Sequence, residues 1–185
     1  MLDKIKSFLF QKDNHKSDNF DVFFDLVNSY LKREHPKISF DLSIDDKFLK
    51  EENLKIKKTL FIDKIVKQFI DFEYTKKTQE TVKKELLWSG YGINSSPNIK
   101  KPQDFLRRKE LAFFRDNRVC NRCGNKMEKI TDAHTFLIHN FEEGGGYNIE
   151  NIAILCFDCN KILTNEDKNI FELHLKIRDE LYDFI

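Results

Sequence analysis

Apolar residues recur at helical spacing through the first half of the chain. Over residues 19–33, Phe20, Phe23, Phe24, Val27, Tyr30 and Leu31 fall three and four apart, the stripe of an amphipathic helix. Pro36 follows soon after, where helices commonly stop. A second helical region spans about 44–74, marked by Leu49, Leu54, Ile56, Leu60, Ile62, Ile65, Val66, Phe69 and Ile70. A third runs from Thr78 to Trp88 and ends near Gly90. Residues 89–103 collect two of the three prolines and two of the six glycines, the signature of a linker. Asp104 then stands as the cap of a helix to about Arg115, with Phe105, Leu106, Leu111, Phe113 and Phe114 as its apolar residues.

Beyond Arg115 the period changes. Thr131–Asn140 reads as β-like, and a period of two puts Asp132, His134, Phe136 and Ile138 on one face. Gly144-Gly145-Gly146 makes a turn, and Ile152–Leu155 is a short apolar strand. A closing helix is expected over about 165–183, with His174 on its surface. The expected fold is α+β and mostly α. A helical scaffold or docking region, residues 1–99, precedes a small α+β domain, residues 100–185.

Composition fits that picture. Eighteen Phe against three Pro and six Gly favour helices with aromatic-filled cores. No apolar run approaches the roughly 20 residues of a membrane span. The opening segment alternates charged and apolar residues without a signal-peptide core, so a soluble, cytoplasmic protein is expected. Net charge is +1, but it is unevenly spread. Residues 100–129 hold ten Lys/Arg against four acids, whereas residues 141–185 hold four basic residues against ten acids. A basic stretch of this kind suits phosphate, and Arg107, Arg108, Arg115, Arg118 and Arg122 are its candidate nucleic-acid contacts. His15 and His35 read as solvated loop residues.

The chemistry is concentrated in the second half. All four cysteines lie there, as Cys120-Asn-Arg-Cys123 and Cys156-Phe-Asp-Cys159. A two-residue gap lets two thiolates of one turn bind a single ion, and two such turns complete a tetrahedral zinc site. Four thiolates leave no open position, so this zinc is structural. Gly124 suits the turn after the first pair.

The order Cys-x2-Cys-Gly, an acid and His, a Gly-Gly turn, then Glu-Asn-Ile-x-x-Leu-Cys-x2-Cys-Asn resembles the HNH endonucleases of the ββα-metal, four-cysteine-zinc kind over about residues 113–165. The resemblance implies a treble-clef-like ββα domain that hydrolyses DNA phosphodiester bonds. By this match His134 is the general base that activates water. Asn151 holds the loop and helps orient that base, and Asn160 binds a catalytic Mg2+ or Mn2+ ion. The residue before the base in most relatives is a metal ligand, whereas here it is Ala133. Asp132, one position earlier, is the candidate second ligand, or else orients the imidazole. In a second alignment His134 becomes the metal ligand, Thr135 stands in the base position, and His139 is a substitute base or ligand. DNA is the expected partner, with a protein partner on the N-terminal helical region. An effector role in bacterial antiviral defence or restriction is the accompanying analogy. The alternative is a degenerate HNH zinc module that binds nucleic acid or protein without cutting.

Overall fold

The computed structural model describes residues 19–44, 50–77, 100–164 and 174–185. Its helices are α1 (Phe20–Glu34), α2 (Leu54–Asp71), α3 (Phe105–Arg115), α4 (Phe157–Thr164) and α5 (Lys176–Tyr182); strands β1 (His134–Leu137) and β2 (Ile152–Leu155) lie between α3 and α4. The expected helix 78–88, most of the linker and residues 165–173 of the closing helix lie outside the described residues. The α+β, mostly helical class is as the sequence implies. No helix among the described residues is long and apolar enough to cross a membrane.

Helix α1 begins where Asn19 accepts a hydrogen bond from the Asp21 amide at 2.8 Å. Its stripe is the expected one: Phe23, Val27, Tyr30 and Leu31 are buried. They meet Phe61, Ile62, Ile65, Val66, Phe69 and Ile70 of α2, with Phe20, Phe23 and Phe24 all in ring contact with Phe61. Burying each such side chain contributes about 1.5–3 kcal/mol, so aromatic packing holds this helix pair together. Helix α2 starts at Leu54, inside the helical region expected over about 44–74, where the Asn53 side chain satisfies the Lys55 and Ile56 amides; residues 45–49 of that region lie outside the described residues. Asp104 does occupy the N-cap position of α3, but its backbone is not extended. Its carboxylate therefore binds Arg108 Nε at 3.0 Å instead of a first-turn amide.

Strands β1 and β2 pair antiparallel, with His134 opposite Leu155 and Leu137 opposite Ile152. All four residues of β2 are buried, which is why it reads as a continuous apolar run and not an alternating one. Strand β1 is shorter than the sequence suggests. Ile130–Asp132 forms a 3-10 turn, so Asp132 precedes the strand and is not on its His134 face.

The helical half and the cysteine-bearing half share one apolar cluster among the described residues. The Lys37 amide donates to the Cys123 carbonyl at 3.1 Å, and Asn125 Nδ2 to Glu34 at 3.0 Å. A Cβ on Gly124, whose φ is +87°, would stand 2.8 Å from the Pro36 ring. The turn after the first cysteine pair thus needs glycine both for its backbone and for this close approach.

Candidate functional site

Each cysteine pair sits on a tight turn, Cys120/Cys123 beside a β-bridge between Val119 and Lys126, and Cys156/Cys159 at the entry to α4. All four are buried, and their sulfur atoms lie within 4.8 Å of one another. With zinc–sulfur bonds of about 2.3 Å, a tetrahedral ion has S···S edges of roughly 3.8 Å. The Cys123–Cys156 separation is 3.7 Å. Donor type, number and spacing all fit zinc, and no other group of three or more metal-binding His, Cys, Asp or Glu side chains occurs among the described residues.

Arg122, between the first two cysteines, is only 1% exposed. Its Nη2 donates to the carbonyls of Phe69 at 2.6 Å, Ile70 at 3.3 Å and Phe72 at 2.8 Å. Its Nη1 lies 3.5 Å from Cys159 Sγ, and the guanidinium packs on the rings of Phe69 and Phe72. Arg122 therefore ties the end of α2 to the cysteine cluster and is not available to phosphate, contrary to the sequence expectation. The same correction holds for two more arginines. Arg115 donates to the Ile149 and Ile152 carbonyls, both at 2.7 Å, and pairs with Asp116. Arg108 donates to the Tyr147 carbonyl at 2.7 Å. Together they clasp the loop that leads into β2. Arg107 and Arg118 remain at the surface, Arg107 paired with Glu110 at 3.6 Å and Arg118 over the Phe114 ring.

That loop is locked from within by Asn151, which is 7% exposed. Its Oδ1 accepts from the His139 amide at 2.8 Å, and its Nδ2 donates to the carbonyls of His139 at 3.0 Å and Gly146 at 2.9 Å. One amide side chain thus closes the loop between the strands. A Cβ on Gly145 would fall 2.0 Å from the His139 carbonyl oxygen, so this approach admits glycine alone.

His134 opens β1, half-buried, with its ring against Phe157 of α4 at 5.9 Å between centroids and 62° between planes. Burial lowers its pKa from the ordinary 6.5, and the ammonium groups of Lys109 and Lys176 lower it further. Those two lysines are functional candidates the sequence reading missed, since they belong to α3 and α5 and only the fold brings them to His134. Lys109 is itself pushed down by burial and by Lys101, so this is a shared positive region. Ala133 is 1% exposed, packed into the core rather than toward the site.

Asn160 lies in the first turn of α4, three residues after Phe157 and so on nearly the same side of the helix. The helix begins at Phe157, between the two cysteines of the second pair. Asp132 is exposed, and its carboxylate closes its own turn through the Lys129 amide at 3.3 Å and Thr131 Oγ1 at 3.2 Å. His139 lies past the far end of β1, so about 3.3 Å per residue puts it on the order of 16 Å along the chain from His134. It is exposed, with Glu143 at 3.8 Å, and does not join His134 in one cluster.

His35 is another correction. Far from solvated, it is 4% exposed, packed against the Phe69 ring at 5.0 Å and Tyr30 at 5.8 Å. Neither ring nitrogen has a hydrogen-bond partner among the described residues. Burial lowers its pKa to about 4; nearby Cys120 opposes that shift and Arg122 adds to it.

The family model described as HNH endonuclease matches residues 120–166. Neither the curated proteins nor the solved structures yielded a match. The matched segment contains both cysteine pairs, His134, the Asn151-locked loop and the strand pair that leads into α4. Residues 120–166 thus match the HNH endonuclease family model, and the four buried cysteines within them fit its zinc-binding kind.

Proposed function

We propose that the chain is a metal-dependent endonuclease that hydrolyses DNA phosphodiester bonds, with His134 as general base. The observation that carries this reading is the placement of His134. It stands at the head of the HNH hairpin with a lowered pKa, beside lysines of two other helices. A neutral imidazole takes a proton from water while the water oxygen bonds to phosphorus and the bond to the leaving oxygen breaks. The leaving oxygen takes a proton from solvent water, and the imidazolium gives its own proton back to solvent. The ammonium groups of Lys109 and Lys176 favour a phosphodiester at this position and stabilise the charge that grows on its oxygens.

A bound Mg2+ or Mn2+ supplies further charge neutralisation at the phosphate. Asn160, with Asp132 as a second ligand, would hold it; such ions keep several waters and use substrate oxygens, so few protein ligands suffice. Zinc in the cysteine cluster is structural. Use as the effector of a bacterial defence or restriction system, with a partner on the helical half, belongs to the same reading.

A second reading is favoured by one observation. Ala133 is buried where relatives carry a ligand, which suits a domain that binds nucleic acid without cutting it. Supercoiled plasmid incubated with the full chain and Mg2+ or Mn2+ separates the two. Nicking or linearisation that stops when the divalent ion is withheld is expected. Plasmid bound but left intact under every metal condition would favour the non-cleaving module.

A further inference from the structure

Phenylalanine is normally buried, yet Phe157 is 39% exposed beside His134. It sits between two cysteines of the zinc cluster, so its backbone is fixed by the turn that binds the metal. His134 meets the ring at a steep angle, and two ammonium groups, Lys161 Nζ and Lys176 Nζ, each stand 5.6 Å from its centroid. Lys161 is anchored by the His174 carbonyl at 3.1 Å, whereas Lys176 is at the surface. The ring also walls a cleft of about 380 Å³ bordered by Lys126, Lys129, Asp132 and Lys176.

We propose that Phe157 is a stacking platform for one unpaired base of the DNA strand beside the scissile phosphate, with Lys176 on a neighbouring phosphate. An aromatic face among cations is the combination that binds single-stranded nucleic acid, because every base has a π-face and every link a phosphate. Bases inside an intact duplex cannot reach the ring. The site therefore prefers single-stranded or locally melted DNA. The proposal rests on the nuclease reading only for where the scissile phosphate lies.

The test uses the full chain, with zinc content checked and no other divalent ion added. A short single-stranded oligonucleotide carrying one aminopurine reports stacking by loss of its fluorescence. Wild type and Phe157→Tyr are expected to quench it. Phe157→Leu is expected to abolish the quench and weaken single-strand binding about 5- to 100-fold, with duplex binding changed less than about two-fold. Unaltered quenching in Phe157→Leu, equal losses on both substrates, or no single-strand binding by wild type would overturn the platform. Phe157→Tyr guards against misfolding, since a structural role alone would not restore the quench. Quenching without cleavage in any metal would sink the nuclease reading and leave the platform standing. Cleavage without quenching would do the reverse.

Discussion

Replacing Arg122 with Ala tests whether the helical half is built onto the metal centre. The guanidinium serves three carbonyls at the end of α2, where a helix has no amides of its own left to offer. It also faces Cys159 Sγ at 3.5 Å, and four thiolates around one Zn2+ leave a net charge that a buried cation offsets. Truncation strands these carbonyls and opens a gap between Phe69 and Phe72. Breaking a buried, hydrogen-bonded charge arrangement costs about 3–5 kcal/mol. A domain of this size has only about 5–15 kcal/mol in total, so the loss would be large. Arg122→Lys keeps the charge but not the fork, and should recover about half of that loss at most. Urea unfolding of zinc-loaded protein by circular dichroism gives the numbers, with Arg107→Ala as a surface control expected within about 0.5 kcal/mol. Zinc release to a competing chelator should be faster in Arg122→Ala. A cost below about 1 kcal/mol, with zinc held as tightly as in wild type, would mean that Arg122 does not join the helical half to the metal centre.

Four further predictions concern other parts of the fold. Removing the metal, or Cys156→Ser, should destabilise α1 and α2 as well as the ββα unit, because they share one apolar cluster; helical signal that melts at an unchanged temperature would contradict this. His35 is depressed to about 4, so its neutral form is favoured by folding. That stability is complete above about pH 6.5 and is lost as pH falls toward 4, a change of roughly 3 kcal/mol that His35→Gln should flatten in denaturation curves across that range. Asn151→Ala leaves the Gly146 and His139 carbonyls and the His139 amide without their partner, and should cost about 2–4 kcal/mol by thermal melting. If His134 is the base, the acid limb of the cleavage rate should lie below pH 6.5, because burial and then Lys109 and Lys176 lower its pKa; a limb above that value would assign the base elsewhere.

Much of this was legible in the chain because it rests on local spacing. The α1 stripe, both cysteine pairs, the β2 run and the HNH order of residues are short-range patterns, and short-range geometry dictates them. What the sequence could not show depends on which elements meet. Arg122 looks like any surface arginine of a basic stretch until α2 arrives and buries it. His35 looks like a loop residue until Phe69 and Tyr30 close over it. Lys109 and Lys176 are far apart in sequence, and only the fold brings both close enough to lower the pKa of His134. Asp132 falls off the strand that the alternation predicts because a 3-10 turn over Ile130–Asp132 interrupts it. Phe157 did leave a signal: a large apolar residue on a zinc-binding turn, where the cysteines already fill the interior.

The most direct test of the account is the single-turnover cleavage rate of wild type against His134→Ala, at equal zinc content and saturating Mg2+ or Mn2+, on single-stranded DNA. General-base catalysis contributes about 10²–10⁴-fold, so a loss of at least about 100-fold is predicted, with DNA binding kept within a few-fold. Equal rates in the two proteins would remove His134 from the chemistry and contradict its role as general base.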